Sequence, residues 1–183
     1  ASAEDLAFLR RGVASLLGVP MSMVNVACPR VGGGFGGKLT GALIPAGVAA
    51  LAVQKTGFPV RVRFDRSEEF RLTGKQNPAY AEFHAAYDTS GLIGMVDCTV
   101  YLDGGWAVDR AESVLRNILR HLDSAYHIPN ARFSGRVCKT NLPPSTSTLC
   151  DGAAVASLIA EEIIAEIGLR LDVIPEAVRQ RNL

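Results

Sequence analysis

The chain has 183 residues, of which 48% are hydrophobic, and its 19 basic and 18 acidic side chains leave a net charge of +1. This length supports one sizeable core, so we expect a single domain over residues 1–183. Because the charges are nearly balanced, they give no support for a nucleic-acid or membrane-surface partner. No apolar run reaches the ~18 residues of a membrane span. The four cysteines lack the spacing of zinc or iron–sulfur ligands, which favours free thiols in a reducing cytoplasm.

Hydrophobic spacing and turn residues divide the chain into predicted elements. The first half is predicted to contain a helix at 4–17, a strand at 23–28, a helix at 40–55, a strand at 60–64 and a helical turn at 67–70 that Ser67 caps. The second half is predicted to contain strands at 79–88 and 92–103, a helix at 109–122, a strand at 132–139, and helices at 151–167 and 175–182. The two long strands are joined by Thr89-Ser90-Gly91, which predicts an antiparallel hairpin. Helices packed on a mostly antiparallel sheet make the expected fold class α+β.

Residues 31–38, with the sequence Val-Gly-Gly-Gly-Phe-Gly-Gly-Lys, form the most informative motif. Glycine is costly to order, so a glycine cluster is expected where the backbone takes positive φ or brings bare N–H groups against a ligand. The loop lies between a predicted strand and a predicted helix. Such a loop suits an anion or an oxo group, because the free N–H groups at a helix start carry partial positive charge.

Other glycine loops share parts of this spacing. A phosphate-binding P-loop needs a Ser or Thr directly after the lysine, but this chain has Leu39. The loop also fits the Gly-x-Gly-x-x-Gly dinucleotide fingerprint, and Asp65 stands where a ribose-binding acid would follow. The predicted hairpin argues against that interpretation, because a dinucleotide fold continues with alternating helices and parallel strands. A purely structural turn that packs helix on strand remains open.

Six further segments accompany the 33–38 run in a fixed order: 17–20 (Leu-Gly-Val-Pro), 55–60 (Lys-Thr-Gly-Phe-Pro-Val), 65–69 (Asp-Arg-Ser-Glu-Glu), 72–75 (Leu-Thr-Gly-Lys), 126–130 (Tyr-His-Ile-Pro-Asn) and 138–143 (Cys-Lys-Thr-Asn-Leu-Pro). Together they resemble the large molybdenum-binding subunit or domain of the molybdenum hydroxylases, which include xanthine dehydrogenases, aldehyde oxidases and their bacterial relatives. The resemblance covers residues 2–182, nearly the whole chain.

The chain departs from the family's pattern at three places. Xanthine dehydrogenases carry a purine-orienting glutamate after the loop lysine, whereas Leu39 is closer to the apolar residue of aldehyde oxidases. A substrate-orienting arginine of the family would fall at Asn117. The family's second cofactor and substrate loop, Phe-Arg-Gly-Phe-Gly-Gly-Pro-Gln, would occupy residues 148–155, where only Gly152 fits and Leu149 and Asp151 replace the arginine and an aromatic residue.

The resemblance implies a cofactor-binding role for Gly34, Phe35, Gly36 and Gly37, with the N–H groups of Phe35 and Gly36 turned toward an oxygen ligand of molybdenum as in an oxyanion hole. The implied cofactor is molybdopterin. The implied partners are the rest of the molybdenum domain and iron–sulfur and FAD subunits or domains. The family's catalytic glutamate lies beyond this chain, so no catalytic or metal-ligating residue is assigned.

The implied function is therefore part of an oxidoreductase that hydroxylates purines or aldehydes, inactive as this isolated chain. The alternative is a non-catalytic structural or interaction domain that descends from the family and has lost its cofactor and substrate loops.

Overall fold

The computed structural model describes residues 1–183 and confirms the α+β class, with helices packed on one sheet. In chain order the elements are α1 (Leu6–Leu17), α2 (Leu43–Thr56), α3 (Arg66–Leu72), β1 (Ala79–Tyr87), β2 (Ile93–Gly105), α4 (Ala111–Arg120), β3 (Ala131–Lys139), α5 (Ala153–Leu171) and α6 (Pro175–Asn182). Short 3₁₀ turns lie at Met21–Met23 and Cys150–Gly152. None of the helices is both long enough and apolar enough to span a lipid bilayer.

The sheet has the order β1-β2-β3, with β2 in the centre. Strands β1 and β2 form the predicted antiparallel hairpin, whereas β2 and β3 are parallel. The parallel pair arises because α4 crosses over the sheet between β2 and β3, as parallel neighbours require. The sheet is therefore mixed, with one antiparallel and one parallel pair.

The C-terminal lobe, residues 79–183, holds the main hydrophobic core of 17 buried residues. Alternate side chains of β2 point into it, and Val96, Cys98, Val100 and Leu102 are each at most 1% exposed. Helices α4 and α5 supply the facing layer, in which Ile118 is fully buried. A central strand buried on its helix-facing side explains why the hairpin and α4 were predictable from hydrophobic alternation.

The N-terminal lobe, residues 1–72, packs α1 on α2 around a core of only four buried residues: Ala3, Leu9, Val13 and Ala42. Helix α1 begins two residues later than predicted because Asp5 is its N-cap, accepting a hydrogen bond from the Phe8 N–H at 2.8 Å. Helix α3 is longer than the predicted turn. Its cap is Asp65, not Ser67, and Asp65 and Glu68 form a reciprocal capping box.

Two predicted strands and one predicted helix end also differ from the structure. Residues 23–28 and 60–64 were predicted to be strands, but neither segment joins a hydrogen-bonded ladder. Their side chains still alternate between half-buried and exposed, as in a strand, so the missing feature is a neighbouring strand. Helix α5 was predicted to end before Gly168, but it continues to Leu171. Gly168 is needed because the chain folds back over it after the helix ends: a Cβ atom at Gly168 would lie 2.9 Å from the Val173 carbonyl oxygen.

Candidate functional site

The glycine loop, residues 31–38, takes the backbone conformations that its composition predicts. Gly32, Gly33 and Gly36 have φ of 70°, 114° and 92°, in the region that favours glycine. The Lys38 ammonium closes the loop by donating to the carbonyl oxygens of Val31 at 2.6 Å and Gly32 at 3.4 Å. The Lys38 side chain therefore stabilises the conformation of the loop itself.

An internal carboxylate occupies part of the loop's N–H surface. Glu4 accepts hydrogen bonds from the Gly36 N–H at 3.0 and 3.1 Å and from the Lys38 N–H at 2.9 Å. The Glu4 N–H in turn donates to the Lys38 carbonyl at 3.1 Å. The anion held by these two N–H groups is thus a side chain of the same protein. Sequence reasoning missed Glu4 because it lies 32 residues before Gly36 and belongs to no recognisable motif.

Other donors of the loop remain available to a ligand. The backbone N–H groups of Gly34, Phe35 and Gly37 have no protein acceptor. Phe35 is 71% exposed, and the Gly34 backbone is exposed beside it. Donors without a protein partner on an open surface are what an oxygen-rich ligand needs from a glycine loop.

The second loop, residues 147–152, contains four successive residues with positive φ: Leu149 (46°), Cys150 (63°), Asp151 (52°) and Gly152 (97°). Three of the four are not glycine, so the segment stores backbone strain. Two side chains hold it in place. Ser147 donates to Asp151 within the loop, and the Asn117 amide on α4 donates to the carbonyls of Cys150 at 3.3 Å and Asp151 at 3.0 Å. Asn117 therefore supports the loop at the position where the family resemblance implies a substrate-orienting arginine.

Gly152 fixes the end of the second loop against α4. A Cβ atom at this position would lie 2.8 Å from the Ile118 side chain and 2.9 Å from the Val114 carbonyl. Only glycine combines this close approach with φ of 97°. The one position of this loop that fits the family pattern is therefore required by packing on α4.

The two loops contact each other directly and together form what we term the two-loop site, residues 31–38 and 147–152. The Leu149 N–H donates to the Phe35 carbonyl at 3.3 Å. Gly36 packs so closely on Ser147 that a Cβ at Gly36 would stand 2.0 Å from the Ser147 carbonyl oxygen. The fold thus brings together two segments that lie more than 100 residues apart in the sequence.

A threonine pair braces the two lobes behind the two-loop site. The Thr40 hydroxyl donates to Asp109 at 2.8 Å and lies 3.2 Å from the Thr146 hydroxyl. The Thr146 N–H also donates to the Lys75 carbonyl at 2.8 Å. Thr40 of the N-terminal lobe is therefore hydrogen-bonded to two residues of the C-terminal lobe, Asp109 and Thr146.

The outer surface of the two-loop site is apolar and carries one thiol. Leu149 is 60% exposed next to Phe35, and Cys150 is exposed beside them. Leu39, which follows the loop lysine, donates its N–H to the Gly36 carbonyl at 3.1 Å and brings no polar group to the site. The site therefore offers backbone donors and apolar side chains, and its chemistry must come from what it binds.

A charged cluster lies elsewhere, where α6 packs on α5. Tyr126 donates to Glu161, and Arg179 donates to the second oxygen of Glu161 at 2.7 Å and to Glu176 at 2.8 Å. Burial, followed by the hydrogen bond to Glu161, raises the pKa of Tyr126, while the Tyr126 hydrogen bond lowers the pKa of Glu161. Because every member has a partner within the cluster, it anchors α6 rather than forming a second reactive site.

Comparison with known proteins gives a consistent picture. Residues 1–183 match the model of a family described as the molybdopterin cofactor-binding domain. The chain is 37% identical over 183 residues to aldehyde oxidase 2 of Cavia porcellus, covering all of this chain and 14% of that protein. It is 38% identical over 171 residues to xanthine dehydrogenase/oxidase of Rattus norvegicus, covering 93% of this chain and 13% of that protein.

Solved structures agree on the fold. Quinoline 2-oxidoreductase from Pseudomonas putida 86 superposes with a TM-score of 0.79 at 25% identity, over 100% of this chain and 23% of that chain. The aldehyde oxidoreductase of Desulfovibrio gigas superposes with a TM-score of 0.81 at 22% identity, over 99% of this chain and 20% of that chain, which shows a shared fold alone. The chain thus spans less than a quarter of these relatives, each of which contains further sequence outside the matched part.

Proposed function

This chain belongs to the molybdopterin cofactor-binding domain family, and from that premise we propose that its two-loop site forms one side of a molybdenum-cofactor site in a larger oxidoreductase. The parent protein, meaning the full-length protein that carries this chain, would hydroxylate purines or aldehydes in the manner of its xanthine dehydrogenase and aldehyde oxidase relatives. When bound, the cofactor supplies the redox chemistry, since the two-loop site has no redox-active group beyond the Cys150 thiol.

The observation that carries the proposal is the contact between the two loops. The hydrogen bond from the Leu149 N–H to the Phe35 carbonyl aligns both loops on one open surface. The N–H groups of Gly34, Phe35 and Gly37 in the glycine loop are unpaired, so they would hold oxygen atoms of the cofactor. Gly36 contributes differently from the other three, because its N–H is held by Glu4 and its role is to let the loop touch Ser147.

Apolar side chains would border the substrate. Phe35 and Leu149 stand exposed on the same surface, and Leu39 brings no carboxylate. Burying exposed aromatic and aliphatic surface against a flat organic substrate favours binding by about 25 cal/mol per Å². A site enclosed from one side only cannot bury such a ligand, so the isolated chain is proposed to be inactive and to need the remaining part of the molybdenum domain.

The wider assembly is part of the same proposal. Residues 1–183 would act as one unit of the cofactor-binding region, because the bonds of Thr40 to Asp109 and Thr146 hold the two lobes together. Iron–sulfur and FAD subunits or domains would carry electrons away from the site. A cytoplasmic location suits the four free cysteines, which a reducing compartment preserves, and fractionation of the native host tests it.

Thiol labelling tests the proposal on the parent protein. Cys150 is the exposed thiol of the two-loop site, whereas Cys138 on β3 is half-buried and serves as the internal control. Bound cofactor should slow the reaction of Cys150 with N-ethylmaleimide by at least about tenfold relative to cofactor-depleted protein, while Cys138 reacts equally in both. Equal Cys150 rates in both preparations, with cofactor content verified by metal analysis, would contradict the proposal.

A second function has one observation in its favour. The Glu4 carboxylate already holds the N–H groups of Gly36 and Lys38, so part of the loop's anion-binding surface is satisfied internally. In that case the chain is a non-catalytic structural or interaction domain of the same family. Parent protein from the native host that contains no molybdenum or pterin would support this alternative.

A further inference from the structure

The N-terminal lobe contains two strand-like segments without neighbours. None of the backbone N–H or C=O groups of residues 60–64 has a hydrogen-bond partner in the protein. Residues 25–28 make a single backbone hydrogen bond, in which the Ala27 carbonyl accepts from the Ala1 amine at 2.9 Å. Open strand edges of this kind are templates for pairing with another extended chain.

Both segments pack on the same helix. Val24 and Val26 contact the small core to which Ala46 and Ala50 of α2 contribute. Val62 and Phe64 line a groove whose floor is formed by α2. In chain order, these elements form a strand–helix–strand unit: segment 24–28, α2 and segment 60–64. No hydrogen bonds join its two strand-like segments.

An open groove lies beside residues 60–64, over the start of α2. Its volume is about 430 Å³, and we call it the alanine groove because its floor contains Ala42, Ala46 and Ala49. Val62 and Phe64 form one wall, and Ala1 lies on the other side. Small floor residues let a backbone approach α2 closely, while the wall exposes unpaired N–H and C=O groups of residues 60–64.

The exposed apolar side of α2 indicates that additional polypeptide covers the N-terminal lobe. Ile44, Val48 and Leu51 are 44%, 53% and 44% exposed, so the helix is apolar on this side as well as toward its core. A helix that is apolar all round is normally buried. The chain spans 14% of aldehyde oxidase 2 of Cavia porcellus, so a parent protein of similar length would have ample further polypeptide to cover the lobe.

We propose that the alanine groove is a strand-docking site, filled in the parent protein by an extended segment of the same polypeptide from outside residues 1–183. That segment pairs with the open edge of residues 60–64 and completes a sheet over α2. It presents small apolar side chains to the alanine floor at every second position. On the opposite side it presents acidic residues, because Arg61 and Arg63 point outward on the neighbouring strand and opposite charges pair across strands. The proposal does not depend on cofactor binding.

Hydrogen exchange of the intact parent protein is the first test. Amides of residues 60–64 should exchange at least about 100-fold more slowly than the rate for an unstructured peptide of the same sequence. Amides of β2, which lie in the established sheet, report that the protein is folded. Exchange of residues 60–64 near the unstructured rate, with β2 protected, would overturn the proposal.

A groove-filling variant gives a matched comparison. In the parent protein, Ala49→Leu places a larger side chain in the groove, whereas Ala7→Leu makes the same change at an exposed position of α1. We expect Ala49→Leu to speed exchange of residues 60–64 by at least about tenfold and Ala7→Leu to leave it unchanged. Unchanged exchange in both variants would mean that the groove is empty. If Ala49→Leu does not fold, the wild-type measurement decides.

Photo-cross-linking identifies the occupant. Arg61→p-benzoylphenylalanine places a reactive ketone on the outward side of residues 60–64, next to the proposed neighbour. The expected product joins Arg61's position to a segment of the same polypeptide outside residues 1–183. A cross-link to a second copy of the protein, to a separate subunit or to another residue within 1–183 would overturn the assignment.

Discussion

The two lobes of this chain are built from similar amounts of helix but differ in how they are completed. The C-terminal lobe closes a three-stranded sheet over a core of 17 buried residues. The N-terminal lobe has a core cluster of only four buried residues, and its two strand-like segments are not paired with other strands. Because stability comes chiefly from buried apolar area, the C-terminal lobe can hold its fold within these residues. The N-terminal lobe needs surface from elsewhere.

This difference bears on function because the two-loop site lies where the lobes meet. The glycine loop belongs to the incomplete lobe, and the second loop leads into α5 of the complete lobe. Bonds such as Leu149 to Phe35 and Thr40 to Thr146 hold the weaker lobe's loop to the stronger lobe. In the proposed assembly, these bonds would preform one side of the site, and the rest of the parent protein would supply the other side.

The same Leu→Ala change in each lobe provides the strongest test of this comparison. Leu102 and Leu9 are 0% and 1% exposed, so each substitution creates a cavity. Leu102→Ala should lower the free energy of unfolding of the 183-residue chain by about 2–5 kcal/mol. Leu9→Ala should leave the main urea transition nearly in place and speed hydrogen exchange only in α1 and α2, because the small lobe opens locally. Equal shifts of the main transition would show instead that both lobes unfold as one unit.

Gly36→Ala should break the contact between the loops. The new Cβ would stand 2.0 Å from the Ser147 carbonyl oxygen, at φ of 92°. Backbone strain at such a position costs about 1–3 kcal/mol. We therefore expect a lower melting temperature and faster hydrogen exchange at the Leu149 amide, which donates a hydrogen bond to the Phe35 carbonyl.

Gly34→Ala is the matched control in the same loop. A Cβ at Gly34 would meet only the Glu4 side chain, at 3.8 Å, and Gly34 has no positive φ. Its stability should change by less than about 0.5 kcal/mol. In the parent protein this variant should still lose cofactor, because the added methyl group lies beside the unpaired N–H groups. Full cofactor content in Gly34→Ala would mean that the loop surface does not contact the cofactor.

Much of the C-terminal lobe could be predicted from the sequence because its signals are local. Alternating hydrophobic residues and a short turn specify the hairpin, and α6 begins and ends where it was predicted. The parallel placement of β3 was not predicted, since it depends on how α4 crosses the sheet. Strands at 23–28 and 60–64 were predicted wrongly for a related reason: alternation indicates an extended chain, whereas a ladder requires a neighbour that local sequence cannot supply.

The glycine loop could be located from composition alone, but not the partners of its atoms. The glycines with positive φ follow from the motif, whereas the bond from Gly36 to Glu4 and the packing of Gly36 on Ser147 join residues far apart in the chain. Those long-range contacts assign Gly36 to the contact between the loops and leave Gly34, Phe35 and Gly37 as the free donors. The cofactor-binding role of these residues remains a prediction.

Glu4→Ala tests whether the internal carboxylate sets the loop's shape. The change leaves the N–H groups of Gly36 and Lys38 without their acceptor in a half-buried position. We expect a loss of about 1–2 kcal/mol in local stability of the glycine loop, seen as faster amide exchange at Gly36 and Lys38 with the C-terminal lobe unchanged. Glu4→Gln keeps one acceptor oxygen, so its exchange rates at Gly36 and Lys38 should lie between those of the wild type and Glu4→Ala. Exchange in Glu4→Ala equal to wild type would show that the loop holds its shape without the carboxylate.

Labelling two native cysteines, one in each lobe, compares how readily the lobes open without any substitution. Cys98 is fully buried on β2, and burial, followed by the nearby charge of Asp97, raises the pKa of Cys98 from 9.0 to about 11. Cys28 lies half-buried in the unpaired segment of the N-terminal lobe. At pH 8, N-ethylmaleimide should therefore label Cys28 long before Cys98, whose reaction should require unfolding of the C-terminal lobe.

The raised pKa of Cys98 also predicts how stability depends on pH. Below pH 9 the thiol is protonated in both the folded and the unfolded chain, so its contribution is fully present. As the pH rises through the window from 9.0 to about 11, the unfolded chain loses the proton first, and the folded state loses stability. Between pH 9 and 10 this amounts to about 1 kcal/mol. Urea titrations of wild type and Cys98→Ala should therefore diverge in slope against pH only above 9, with the variant less sensitive. Parallel slopes would mean that Cys98 ionises as easily in the folded lobe as in the unfolded chain, and that the C-terminal core is more open to water than its burial indicates.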